Sequence, residues 1–213
     1  TGDAGLMKWL NEQGSLLKDF LTGGFRRTLW MCALGMLLTV LLGVGIGLLV
    51  PEQAAQTMNT FMEQAAQSGV VNEEGEMSVF ALLMNNWRAM LISAAYGFVP
   101  FLFLPAVSLV TNGVLLGMLG ALFMVRGMSL LAYLTGIVPH GVFEIPALIF
   151  SIACGVHLCR TMNDLVTSRP GRTPLLAALE DLLRVLVMVV APLTVAAAFT
   201  ECYVTPVIMS LFL

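Results

Sequence analysis

Two long apolar runs without a charged residue constrain this chain more than any other feature. They cover Thr28–Val50 and Val185–Thr200. A helix rises about 1.5 Å per residue, so roughly 20 apolar residues cross a hydrocarbon core of about 30 Å. Only 11% of the 213 residues are charged, whereas an ordinary soluble domain has about 25% charged residues. The sequence therefore predicts an all-α, polytopic membrane protein.

The distribution of positive charge predicts how the chain is oriented. No Lys or Arg lies between Arg27 and Arg88, and the segment 51–77 carries five glutamates. The segment 160–184, in contrast, carries four arginines. Cytoplasmic loops are enriched in Lys and Arg. We therefore expect a plasma-membrane protein with a cytoplasmic N-terminus, an acidic extracytoplasmic loop at 51–77 and a cytoplasmic loop at 160–184.

The first 27 residues precede the apolar runs and have a different pattern. Apolar residues recur there at helical spacing, with charged residues between them: Leu6, Trp9, Leu10, Leu17, Phe20 and Leu21. This pattern is typical of an amphipathic helix that lies on the membrane surface, although a helix packed on other protein would show it too. We expect residues 1–27 to form a cytoplasmic interfacial helix and residues 28–213 to form a single transmembrane domain.

The string PHGVFEIPA at 139–147 places two ionisable side chains, His140 and Glu144, in apolar surroundings. The stretch 128–159 around it is too long for one straight span, and its two prolines each remove a backbone donor. We therefore expect a helix that is broken near residues 139–146, and about five to six transmembrane helices in all. A complete final crossing is doubtful because polar residues occur in 201–213.

His140 and Glu144 are four residues apart and share a face if a helix begins near Pro139. Ionisable groups at the bilayer centre cost several kcal/mol and are functional candidates by default. The pair could cap two half-helices, relay a proton, or coordinate a cation with a third ligand such as His157 or Asn112. We expect Glu144 to be protonated or paired.

Other polar and small residues add candidate sites. The candidate binding residues are His140, Glu144, Asn85, Asn86, Arg88 and Asn112. Gly113, Gly117 and Gly120 share one helix face, a pattern that favours close helix packing in membranes and suggests a homo-oligomer.

Several classes of function lack support in the sequence. No basic patch with interleaved aromatic residues points to nucleic acid, and no HExxH, GxSxG or P-loop motif points to an enzyme. The four cysteines do not have zinc-site spacing. We therefore expect a protein that is not an enzyme, with no cofactor and no dedicated metal site.

Three strings carry a family resemblance: NNWRAM at 85–90, TNGVLLG at 111–117 and PHGVFEIPA at 139–147. Over roughly residues 25–210 the chain resembles the stage II sporulation protein M family of integral membrane proteins. The resemblance implies a plasma-membrane protein with about five or six helices. It also implies cell-envelope partners, because the name-giving member works with peptidoglycan-cleaving proteins in sporulation. It carries over no catalytic residues.

Two functions follow from these observations. The first is a channel or secondary transporter for an ion or small polar solute, with its site at His140 and Glu144. It requires a hydrated cavity that reaches Glu144. The second is a non-enzymatic scaffold that recruits cell-envelope or peptidoglycan-remodelling partners through 51–77 or 160–184. Costly residues at membrane depth favour transport, because a scaffold does not need them.

Overall fold

A computed structural model describes residues 2–67, 77–170 and 173–211. Within these ranges the chain forms seven helices. They are α1 (Gly2–Thr22), α2 (Phe25–Leu49), α3 (Pro51–Gln67), α4 (Val79–Ala95), α5 (Pro105–Val125), α6 (Leu130–Val166) and α7 (Leu175–Ser210). A 3-10 turn, Tyr96–Phe98, follows α4, and α7 contains two π turns, Leu186–Val190 and Thr200–Val204. The prediction of an all-α protein is confirmed.

Four helices, α2, α5, α6 and α7, are long and apolar enough to cross a membrane. This confirms the prediction of a polytopic membrane protein. Helix α4 is shorter, with 17 residues, or about 25 Å of rise. It packs against α6 and α7. Together with the four long helices it makes five, the lower end of the predicted five to six transmembrane helices. Helix α7 continues to Ser210, so the polar residues after 200 do not end it.

Helix α6 is the centre of the bundle and runs without interruption through Pro139 and Pro146. The predicted break near residues 139–146 is therefore wrong. Each proline lacks an N–H, so a carbonyl four residues earlier loses its helical donor. Membrane helices retain such prolines where neighbouring protein surrounds the freed groups. Helix α6 contacts α2, α4, α5 and α7, and its buried residues extend from Ala132 to Thr161.

Small residues let α2 and α5 approach each other closely. The glycines at this contact are Gly43 and Gly47 of α2 and Gly113 and Gly117 of α5. A Cβ at Gly117 would overlap the carbonyl oxygen of Val40, and a Cβ at Gly120 would press on the Tyr133 ring of α6. The three glycines that suggested a homo-oligomer therefore face other helices of the same chain.

The segments that were expected to be loops are largely helical. Helix α3 forms the first part of 51–77, as its sequence indicates, while 68–76 lies outside the described residues. Helices α6 and α7 take up most of 160–184 and leave a short connection at 167–174. The N-terminal helix α1 forms as predicted. It packs on the core through Leu17, Phe20 and Leu21 and leaves its opposite side exposed.

Candidate functional site

His140 and Glu144 lie one turn apart on α6, as their spacing predicts. The distance from His140 Nε2 to a Glu144 carboxylate oxygen is 4.0 Å. At about 1.5 Å per residue, His140 lies about 15 Å and Glu144 about 21 Å along α6 from its first residue, Leu130. Both side chains therefore lie within about the first 30 Å of α6, a length similar to that of a hydrocarbon core.

Glu201 of α7 is the third member of this group. It lies in the π turn Thr200–Val204. One ligand atom each from His140, Glu144 and Glu201 lie within 4.8 Å of one another, and we refer to these three side chains as the ionisable cluster. Sequence analysis missed Glu201 as a site residue. Its presence in an apolar segment was the available signal, because no spacing rule links it to α6.

The same π turn orients His140 through Thr205. The backbone N–H of Thr205 donates to the Thr200 carbonyl five residues earlier, as in a π-helix. The Thr205 hydroxyl donates to this carbonyl at 3.2 Å and lies 3.3 Å from His140 Nδ1. With the hydroxyl proton on this carbonyl, the hydroxyl oxygen can accept from an Nδ1–H. In that arrangement a neutral His140 carries its lone pair on Nε2, the nitrogen beside Glu144.

A cavity of about 640 Å³ reaches the ionisable cluster. Helices α2, α3, α5, α6 and α7 contribute to its wall, and its polar lining outside the cluster comes from Asn59, Asn112 and Arg126. Arg126 follows the last residue of α5 and lies about 20 Å along the axis of that helix from Asn112. One third of the Glu144 side chain and 15% of the His140 side chain are accessible. A small solute in the cavity can therefore contact both.

Asn112 is the other predicted binding residue at this cavity. Helices α5 and α6 are joined by the short connection 126–129. Asn112 lies as many residues before Arg126 as Glu144 lies after Leu130. Both side chains are therefore at a similar distance from this connection, and so at a similar depth. The Asn112 Nδ2 donates to the Ser108 carbonyl at 2.8 Å, which leaves the amide oxygen as an acceptor.

The remaining candidates lie elsewhere in the bundle. Asn85, Asn86 and Arg88 belong to α4 and are not among the residues that line this cavity. Asn85 and Arg88 are exposed. Asn86 is buried, and its Nδ2 has no hydrogen-bond partner among the described residues. His157 packs edge-on against two phenylalanine rings and is not a third ligand for the pair on α6.

The chemistry of the ionisable cluster suits a charged or polar ligand. A carboxylate transferred from water into apolar surroundings is strongly destabilised unless it is paired, hydrated or bound to a cation. Carboxylate oxygens and imidazole nitrogens are also common metal ligands. The arrangement can therefore hold a cation, or pass a proton between neighbouring groups.

Comparison with known proteins gives one match. The model of the family described as Stage II sporulation protein M matches residues 30–206, a range that includes the whole ionisable cluster and Thr205. No curated protein and no solved structure matches the chain.

Proposed function

Because the chain belongs to the stage II sporulation protein M family and is an integral membrane protein, we propose that it forms a membrane pathway for a cation or a small polar solute. The ionisable cluster is the binding site of this pathway, and Asn112 lies at the same depth. The role is transport through a channel or a secondary transporter, and it requires no catalytic residue.

The observation that carries this proposal is the cavity that contacts all three members of the ionisable cluster. A transport site at membrane depth must be accessible to its solute, and polar groups at this depth are tolerated around such a space. A scaffold that binds partners through its surface helices has no need of three ionisable groups in a cavity of about 640 Å³.

We also propose that the cavity opens on the extracytoplasmic side. Arg26 and Arg27 precede α2, and no positive charge follows until Arg88, which favours a cytoplasmic N-terminus. Crossings by α2, α4 and α5 then put Arg126, at one end of the cavity, on the outside. The chain acts in the plasma membrane in this scheme.

Flux measurements in proteoliposomes test the proposal. Wild type is compared with Glu144→Gln under gradients of H⁺, Na⁺, K⁺ and divalent cations, with empty liposomes as the background. We expect wild type to dissipate at least one gradient at ten or more times the background rate. The Glu144→Gln variant should lose at least 90% of this flux, because an amide keeps the shape of the side chain but not its charge.

The matched control is Glu12→Gln, the same change at an exposed position of α1, which should transport like wild type. Gel filtration establishes that both variants are folded. If no gradient is dissipated by folded wild-type protein, the cation pathway is contradicted and the scaffold function becomes the better proposal. Capture of cell-envelope proteins through 51–77 or 160–184 would then be the next experiment.

A further inference from the structure

We propose that the ionisable cluster binds a divalent transition-metal cation, for which Zn²⁺ serves as the probe. His140 contributes Nε2, and Glu144 and Glu201 contribute one carboxylate oxygen each. The inference rests on the proposed function, because it names the class of cation that the pathway carries. The sequence alone predicted no dedicated metal site, and it offered His157 or Asn112, not Glu201, as a third ligand for a cation at His140 and Glu144.

The spacing of the three ligand atoms suits one cation. Zinc binds imidazole nitrogen and carboxylate oxygen at about 2.0–2.2 Å, which puts the ligands of a tetrahedral site about 3.4 Å apart. The nitrogen of His140 is 4.0 Å from the Glu144 oxygen, and all three ligand atoms lie within 4.8 Å. Rotation of the two flexible glutamate side chains closes the remaining gap of about 1 Å.

The contact between His140 and Thr205 is a second observation, and it fits a metal ligand. Imidazoles that bind metals usually donate their other N–H to a neighbouring acceptor, which fixes the ring and the tautomer. Thr205 Oγ1 lies 3.3 Å from His140 Nδ1 and 3.2 Å from the Thr200 carbonyl, so it can accept from Nδ1–H while its own proton is bound to that carbonyl. With this tautomer the free Nε2 faces Glu144 without any rearrangement of α7.

Charge favours a divalent cation over a monovalent one. Two carboxylates neutralise one divalent cation, so the loaded site adds no net charge at membrane depth, where net charge is costly. The other charged residue lining the described cavity is Arg126, which lies about 20 Å along α5 from the level of Glu144. A nitrogen ligand also favours Zn²⁺ and its neighbours over Ca²⁺ and Mg²⁺, which prefer oxygen ligands.

The number of ligands favours exchange over permanent retention. Structural zinc sites are closed by four protein ligands, whereas three protein ligands leave a position for water or another group. This position faces a cavity that also contains the Asn112 side chain. A site of this kind can accept a cation and release it again, as transport requires.

Calorimetric titration of Zn²⁺ into purified, EDTA-treated protein at fixed pH tests the site. We expect one Zn²⁺ per chain, with Ca²⁺ and Mg²⁺ at least tenfold weaker. Glu201→Gln and His140→Gln should each weaken Zn²⁺ binding at least tenfold. Thr205→Val, which keeps the side-chain shape but removes the acceptor, should weaken it tenfold to a hundredfold.

Two matched controls identify the site that binds. Glu12→Gln changes an exposed glutamate of α1, and His157→Gln changes the other histidine, which packs on aromatic rings outside the cavity. Both should bind Zn²⁺ like wild type. A rise in the wild-type unfolding temperature with Zn²⁺ but not with Mg²⁺ supports the site even where a cluster variant fails to fold.

The outcomes separate this inference from the proposed function. If folded wild type does not bind Zn²⁺, or if Glu201→Gln binds it as tightly as Glu12→Gln, the metal site is overturned, even when liposomes pass another ion. If Zn²⁺ binding depends on the cluster and no ion gradient is dissipated, the metal site stands and the cation pathway is overturned.

Discussion

At the scale of single residues, a substitution of Glu201 distinguishes a carboxyl group that binds a ligand from one that stabilises the helix bundle. Buried ionic groups can often be replaced by apolar residues at no loss, or with a gain of about 1–4 kcal/mol. If Glu201 serves ligand binding, Glu201→Leu should keep or raise the unfolding temperature in detergent while it abolishes Zn²⁺ binding and flux. Tryptophan fluorescence during heating measures the first effect.

The opposite result would show that Glu201 stabilises the packing of the helix bundle. A drop in unfolding temperature for Glu201→Leu, with Glu201→Gln stable, would mean that a hydrogen bond from this side chain holds α7 against α6. The amide variant is the shape-matched comparison in both assays, since it removes the ionisable group and keeps a side chain that can form hydrogen bonds.

Part of the site was predictable at this scale. The interval of four residues put His140 and Glu144 on one helix face, and Asn112 was named as a possible third ligand for this pair. Glu201 was not predictable, because its proximity depends on how α7 packs on α6 and on a π turn that has no sequence signature. Asn85 and Arg88 looked equally suitable, yet α4 leaves both exposed.

At the scale of helices, the glycine contact between α2 and α5 gives a direct test of the packing. A Cβ at Gly117 would overlap the carbonyl oxygen of Val40 and press on the amide of Val44. We expect Gly117→Ala to destabilise the protein by about 1–3 kcal/mol, the usual range for overpacking. Thermal unfolding in detergent measures the change.

The control for this prediction is Gly45→Ala on the same pair of helices. A Cβ at Gly45 would meet no atom within 4 Å, so alanine should be neutral or slightly stabilising through its higher helix propensity. Equal unfolding temperatures for Gly117→Ala and Gly45→Ala would contradict the close contact between α2 and α5.

Helix identity was predictable from hydropathy, but helix continuity was not. Prolines normally interrupt helices, so the sequence favoured two half-helices around His140. The structure keeps Pro139 and Pro146 inside α6 because four neighbouring helices surround it. That tertiary environment, and not the local sequence, decides whether a membrane helix tolerates proline.

At the scale of the whole molecule, the class of protein followed from composition, while the cavity depended on tertiary structure. Apolar runs and sparse charge predict membrane helices whatever their arrangement. The cavity exists because residues from five helices, separated by more than half of the chain, meet around α6. Only the assembled bundle shows that the cluster is accessible.

The orientation of the bundle is the remaining whole-molecule prediction, and in the proposed pathway it decides from which side a cation would enter. Because Lys and Arg favour the cytoplasm, α3 should be outside and the 167–174 connection inside. Gln56→Cys and Thr173→Cys change exposed positions in these two segments, in a background where the half-buried Cys202 is replaced by Ser. A membrane-impermeant maleimide should label Gln56→Cys in right-side-out vesicles and Thr173→Cys only in inside-out vesicles. The reverse pattern would place the cavity mouth at Arg126 in the cytoplasm, and the pathway would then load its cation from within the cell.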